Sequence, residues 1–470
     1  MTIKCFVTIV GIAGVCSADV LHVPGTYSTI QEAIVSAANG DTVEVAAGFY
    51  QEQIDFMGKA ITVSGAGATQ STIDGTGLDG SVVSFVSEEG AASVLEGFRI
   101  GHGTGSIVQD EVFGEVLCGG GIFIRSASPT IRDCEVESSE CWGGGGLCID
   151  GGMPALSNCG FRNNVVEGHG GGVYALHGAR PSMTSCRFEY NTANWGGGMT
   201  CTDGSDAELT DCSFVANTTL NVGGGLYIRS SSNPTITNCT FAWNDQISNP
   251  LGSGGGICVY GSGTGGGPCY PIITGCLFEG NVVNGDGGGM SNAYGTFATV
   301  EDCVFRGNVA GRDGGGVACV GAHDPDVPSN SIFINCVFEA NATVEEGGGF
   351  FSRASEPSIS GCVLSENEAA AGGGVYFFES PASLMEGTTI CGNTLPQVGG
   401  DFLDLGGNAI DDGCSACQGD LTGDGVVGVD DLLMLIKFFG PCDGCPADVD
   451  GDGLVGVDDI LLVIATWGPC

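Results

Sequence analysis

Seven times between Cys159 and Gly349 the chain repeats Cys-x-Phe-x-x-Asn, followed a few residues later by Gly-Gly-Gly and a short apolar run. The copies start at Cys159, Cys186, Cys212, Cys239, Cys276, Cys303 and Cys336, and degenerate copies at Cys134, Cys362 and Cys391 lengthen the array. Four of the six steps are 26 or 27 residues; the steps of 37 after Cys239 and 33 after Cys303 keep both motifs and read as loop insertions. A period of this length in a chain of 470 residues predicts a solenoid, in which each repeat buries its apolar face only against its neighbours.

The composition of one repeat sets the kind of solenoid. Pro234-Thr-Ile-Thr-Asn-Cys-Thr-Phe241 gives two short β-rich runs around a polar turn, and Gly225-Leu-Tyr-Ile228 gives a third with alternating apolar residues. Three short strands per turn predict an all-β parallel β-helix. Equivalent residues should then stack at about 4.8 Å, Phe on Phe, Asn on Asn and Cys on Cys. The triple glycines mark bends that need positive φ or close backbone approach.

Residues 1–18 carry Lys4, an apolar run from Phe6 to Val15 and the small residues of Cys16-Ser-Ala18, the pattern of a cleaved signal peptide. Lipidation at Cys16 is a weaker reading, because Val15 precedes it poorly. Secretion or cell-surface display follows, and no later stretch is apolar enough to span a bilayer. Residues 19–41 form a cap: Ser28-Thr-Ile-Gln31 reads as a capping box, Ile30, Ala33, Ile34 and Ala37 share one helical face, and Gly40 stops the helix. The segment from Pro24 to Tyr50 resembles the opening of right-handed β-helix proteins of the pectin-lyase-like group. Residues 19–412 would hold roughly 13 coils at the strand spacing. The paired repeat signals over residues 118–400 resemble those of the chlamydial polymorphic outer-membrane proteins, which implies coil architecture and no particular activity.

A sharp change of composition follows Cys417, so residues 413–470 read as a second unit. Asp420-Leu-Thr-Gly-Asp424-Gly425-Val-Val-Gly-Val-Asp-Asp431 recurs 28 residues later as Asp448-Val-Asp450-Gly-Asp452-Gly453-Leu-Val-Gly-Val-Asp-Asp459, each with an apolar helix behind it. A calcium loop needs oxygens at positions 1, 3, 5, 7 and 12 and a glycine at 6. Loop one offers Asp420, Thr422, Asp424, the carbonyl of Val426 and Asp431; loop two offers Asp448, Asp450, Asp452, the carbonyl of Leu454 and Asp459. The duplicated loops resemble a type I dockerin, which implies two calcium ions and attachment to a cohesin-like or other surface partner. Thr422 removes one charge from loop one, so loop two should bind the ion more tightly. Val429-Asp430 and Val457-Asp458 stand where cohesin contacts are made in that family and differ from its small hydroxyl residues.

With 55 acidic against 13 basic residues the net charge is −42, which excludes a nucleic-acid partner. Among 24 cysteines, those that open the repeats, from Cys134 to Cys391, occupy one place in successive coils and read as buried thiols, since parallel Cβ vectors at strand spacing disfavour a bridge. Cys118, Cys141, Cys258 and Cys269 read as bridged, Cys258 to Cys269 across the first insertion. Cys414, Cys417, Cys442, Cys445 and Cys470 read as disulfides rather than a zinc ribbon.

Catalytic residues are unknown from sequence. Gly-His-Gly occurs at His102 and His169, which read as loop histidines, and Arg125, Arg229 and Arg353 follow their triple glycines in separate coils. Lys59 and Lys437 are the only lysines after the leader, too few to supply the basic residue of a uronate lyase. The expectation is therefore a binding or structural rod for glycans or surface proteins, with a polysaccharide lyase or glycoside hydrolase as the alternative. A surface cluster of two or three carboxylates with one basic residue on a single face would reverse that order.

Overall fold

A computed structural model describes residues 18–110, 112–261, 266–321, 328–412, 414, 419–422, 426–442, 445, 447–449 and 453–469. The leader before Ala18, the potential ligands Asp424, Asp450 and Asp452, and Cys417 and Cys470 lie outside the described residues.

The chain winds as a parallel β-helix whose long sheets contain 15, 13 and 14 strands, each in sequence order. One coil runs Thr235–Thr237, Thr240–Ala242, Asp245–Gln246 and Ile257–Tyr260. The third of these belongs to a fourth sheet of eight strands that the motifs do not predict. Register is in line from coil to coil, so Ile236 faces Ile273, then Val300, Phe333 and Ile359. In these three-residue strands the central side chain points inward and is buried, which is what period-two alternation requires.

The repeat motif explains the corner after each Phe. Rings from Phe161 to Phe338 stack in sequence, with centroids 4.2 Å apart for Phe188 and Phe214. The chain then turns through a positive φ just before the asparagine, at Trp243 (52°) and Gly280 (61°) for example. Asn281 supplies the pairing that this bend would otherwise lose: its Nδ2 donates to Asn308 Oδ1 (2.9 Å) and to the Phe241 carbonyl (2.8 Å), and its Oδ1 accepts from Asn244 N (3.0 Å) and Nδ2 (2.9 Å). The triple glycine works by both expected routes. Gly287 has φ +74°, and a Cβ on Gly288 would stand 2.4 Å from the Gly315 carbonyl oxygen of the next coil.

Helix α1 (Ile30–Ser36) lies over the first strands with Ile30, Ala33 and Ile34 buried, as expected. Its cap is shifted by one residue from the predicted box: Thr29 Oγ1 accepts from Glu32 N, while Ser28 Oγ donates to the Glu32 carboxylate. Glu32 thus takes the role assigned to Gln31, because its carboxylate satisfies the Ser28 amide as well.

The thiol ladder is reduced and buried from Cys134 to Cys362. Cys391 departs from it and is bonded to Cys414, 23 residues further along, where the chain leaves the last coils. Cys258 and Cys269 are both reduced, contrary to expectation. Cys269 lies in the interior with Ile257 and Val259, whereas Cys258, between those two on its strand, faces the other way. Cys118 and Cys141 are reduced too: Cys118 meets the Cys148 thiol, and Cys141 donates to the Gly143 carbonyl. Cys442 and Cys445 are bonded to each other.

Near the C-terminus, helices α2 (Val429–Lys437) and α3 (Val457–Ala465) pack over Val427, Leu435, Val455 and Val463. The short strands exchange: Val426–Val427 pairs with Gly468–Pro469, and Gly440–Pro441 with Leu454–Val455. No helix among the described residues is long and apolar enough to cross a membrane.

Candidate functional site

One position in each coil is free to vary while its surroundings repeat, namely the residue immediately before the triple glycine. It reads His169, Trp195, Val222, Ser253, Asp286, Asp313 and then Glu346. Backbone hydrogen bonds hold these residues in line: Gly170 N donates to Trp195 O, Gly254 N to Asp286 O, Gly287 N to Asp313 O and Gly314 N to Glu346 O, at 2.9–3.0 Å. Two chemically distinct clusters grow from this ladder.

The first is a carboxylate pair under two guanidiniums. Asp286 and Asp313 are 7% and 4% exposed. Arg312 Nε lies 3.7 Å from Asp286 Oδ1 and its Nη2 3.9 Å from Asp313 Oδ2, while Arg353 reaches the same two carboxylates at 3.8 and 3.9 Å. These distances give charge attraction without hydrogen bonds, and Asp286 Oδ1 has no hydrogen-bond partner. Burial raises the Asp286 carboxyl against the opposing pull of Arg312 and Arg353. Burial pushes Asp313 further, to about 6, with the charges of Asp286 and Glu345 adding to it. Asp313 Oδ1 accepts from Glu346 N at 3.3 Å, and Arg353 also rests over the Phe351 ring. Arginines of low exposure, 28% and 23%, therefore cover the pair without being locked to it.

The second cluster is aromatic. His169 stacks on Trp195 (4.8 Å) and Tyr174 (5.3 Å), and Trp142 meets it edge-on at 5.5 Å. A hairpin, Ser106–Asp110 with Gly114–Cys118, folds over this end and sets Phe113 5.1 Å from Trp142. Tyr174 Oη donates to Asp110 Oδ2, and Asp110 Oδ1 accepts from the amides of Val112 and Phe113, fixing the hairpin tip. His169 is 2% exposed, and its Nδ1 has no partner. Burial, with a smaller contribution from Arg229, lowers it to about 3, so the ring is neutral at ordinary pH. It is an interior residue rather than the loop histidine expected from its motif.

The remaining candidates are dispersed. His102 Nδ1 lies 2.7 Å from Asp74 Oδ2 in an early coil. Burial opposes ionisation of Asp74, yet hydrogen bonds from Thr76 and His102 hold it below the usual range. Arg125 Nε donates to Asp150 Oδ2, and His177 Nδ1 lies 2.8 Å from Asp150 Oδ1. Arg125 and Arg229 join no carboxylate pair of the kind around Arg353.

In the C-terminal loops the position-12 carboxylates fold back onto the amides that follow position 1. Asp431 accepts from the amides of Leu421, Thr422 and Gly428, and Asp459 from those of Val449 and Gly456, so each position-12 carboxylate closes its loop. Asp448 Oδ1 is buried and unpartnered, while Oδ2 accepts from Gly453 N. An orphaned carboxylate oxygen at position 1 suits a cation. Asp420, Thr422, Val426 and Leu454 occupy the corresponding backbone or side-chain positions at the loop surface.

Parallel sheets closed around an apolar interior define a β-solenoid. The right handed beta helix region family matches residues 104–265 and 221–415, and the chain belongs to that family. No curated protein sequence matches it. Among solved structures it is similar to the Dettilon tailspike protein at 13% identity, covering 83% of this chain and 68% of that one with a TM-score of 0.42. It is likewise similar to the catalytic domain of a GH87 alpha-1,3-glucanase at 12% identity, covering 83% and 69% with a TM-score of 0.43.

Proposed function

We propose that this protein is an extracellular polysaccharide-acting β-helix that cleaves glycosidic bonds, with a calcium-dependent attachment module at its C-terminus. The observation that carries the reading is the Asp286 and Asp313 pair beneath Arg312 and Arg353. The pair is buried rather than the surface cluster that the sequence reading asks for, and it is the two arginines beside both carboxylates that bring the enzyme reading forward.

Hydrolysis of a glycoside needs one carboxyl that keeps its proton and a second that is ionised near the anomeric carbon. Asp313, raised to about 6, is suited to give a proton to the leaving oxygen. Asp286, its neighbour one coil away, is suited to face the developing positive charge as nucleophile or stabiliser. Arg312 and Arg353 must swing aside for a sugar to enter. Their contacts with the pair are charge attractions at 3.7–3.9 Å rather than hydrogen bonds, and once displaced they can bind sugar hydroxyls at the rim.

Residues 413–470 are proposed as a dockerin-like unit. Asp420, Thr422, Asp424, Asp431 and the Val426 carbonyl would hold one calcium ion; Asp448, Asp450, Asp452, Asp459 and the Leu454 carbonyl would hold the other. The ion would neutralise crowded carboxylates and order the helices that meet a cohesin-like or other surface partner. The unpartnered Asp448 oxygen supports the loop-two assignment.

The test is reducing-end release from a panel of neutral and acidic polysaccharides by the full chain and by Asp313→Asn. Turnover by the wild type alone, with both proteins equally folded, is the expected result. Absence of product from every polymer, together with saturable glycan binding, would return the adhesive reading to first place.

A further inference from the structure

We infer that the aromatic end of the same ladder is a sugar-stacking subsite for an uncharged hexopyranose unit, centred on Trp142 and backed by Phe113, His169 and Trp195. This rests on the glycan-directed reading above and specifies which sugars it admits. Three independent observations converge on it.

The first is ring geometry. Phe113 remains 48% exposed although it touches Trp142 and Trp195, and Trp142 is only partly buried. Water-facing aromatic rings beside polar side chains present the surface on which the C–H face of a pyranose packs. Trp142 also forms one wall of a groove of about 540 Å³ between the hairpin and the fourth sheet.

The second is His169. A neutral imidazole with a buried, unpartnered Nδ1 sits directly behind these rings. Leaving such an atom unsatisfied is costly, and a sugar hydroxyl or the water it carries would relieve that once the Trp142 ring shifts.

The third is charge. The groove carries the exposed carboxylates Glu115, Glu140 and Glu167, and among the described residues no lysine or arginine lines it. Carboxylates accept hydrogen bonds from hydroxyls and repel uronate or sulfate groups, so an acidic glycan is excluded here. From Trp195 to Asp286 the ladder advances three coils and from His169 four, about 14 and 19 Å at the strand spacing. The ligand must therefore be an oligosaccharide of several units to touch both clusters.

The experiment is a tryptophan-fluorescence titration of the full chain with gluco-, manno- and galacto-hexasaccharides against a galacturonate hexasaccharide. At least one neutral hexasaccharide should bind, Trp142→Ala should weaken it at least 10-fold, Trp142→Phe should recover most of the loss, and the galacturonate should not bind. Trp243→Ala, at an exposed corner away from the groove, should bind as wild type. Equal affinity for galacturonate, or wild-type affinity in Trp142→Ala, would overturn the subsite. Binding is also measured in Asp313→Asn: retained affinity with lost turnover separates this inference from the catalytic reading. Trp142-dependent binding without turnover by the wild type supports the subsite and removes the hydrolase.

Discussion

Burial and the charges of Asp286 and Glu345 raise the Asp313 carboxyl from 3.8 to about 6, so the folded protein favours its protonated form. The stabilisation this provides is complete below 3.8 and is lost as pH rises through about 6. Asp313→Asn should therefore leave urea stability nearly unchanged at pH 4. At pH 7.5 it should raise it by on the order of 1–2 kcal/mol, while glycosidic cleavage falls by about 10²-fold or more. Loss of stability at pH 7.5 would mean that the arginines more than compensate the buried charge. The pair was hidden in the sequence because its column is the irregular one. Gly143, His169, Trp195, Val222, Ser253, Asp286, Asp313 and Glu346 repeat no residue type except the adjacent pair of Asp, and only the fixed glycines after them reveal that they are aligned. Searching that column for neighbouring acids would have found Asp286 and Asp313. The arginines would not have followed, since Arg312 precedes its triple glycine and Arg353 comes after the next one.

Corners, more than strands, specify the coil. Gly288→Ala would drive a methyl group against the Gly315 carbonyl oxygen and should cost roughly 3 kcal/mol or more, whereas Gly307→Ala, with φ +60° and nothing within 4 Å of the new Cβ, should cost about 1 kcal/mol. Matched urea midpoints for the two variants would disprove the close-approach account. Asn281→Ala removes a side chain with hydrogen bonds to two neighbouring coils and strands buried polar groups in both, so a loss of about 3 kcal/mol or more is expected in the same assay. The Phe, Asn and Gly columns were legible because each is one residue type repeated. The fourth sheet was not, as strands of two residues such as Val282–Val283 are too short to show alternation. The α1 cap moved by one residue for a comparable reason, with two adjacent hydroxyls, Ser28 and Thr29, competing for the same role.

Over the whole molecule, the proposed calcium loops should make the C-terminal residues respond to a variable that the repeat array ignores. Chelator should remove helical circular dichroism contributed by α2 and α3 and leave the β-helix signal in place, with calcium restoring it. Asp448→Ala should abolish most of the loop-two response measured by calorimetric calcium titration, and Asp420→Ala should have the smaller effect. An unchanged helical signal in chelator would rule out the ligand assignment. The period announced the solenoid, yet not which cysteines pair. Cys391 belongs to the thiol column by spacing, and only the path of the chain beyond the last coils brings Cys414 to it.

On the proposed reading, alignment of the ladder residues across adjacent coils would make the molecule a ruler. Distance between the ring cluster and the acid pair is quantised in steps of one coil, about 4.8 Å, because no intermediate register buries the Phe column. Excising one coil between them, for instance Cys212 to Asn238, should shorten the dominant product of digestion by a discrete increment while leaving bond specificity alone. If the proposed cleavage holds, product length would be a property counted in coils, open to change by recombination of repeats without altering any residue that touches the bond being cut.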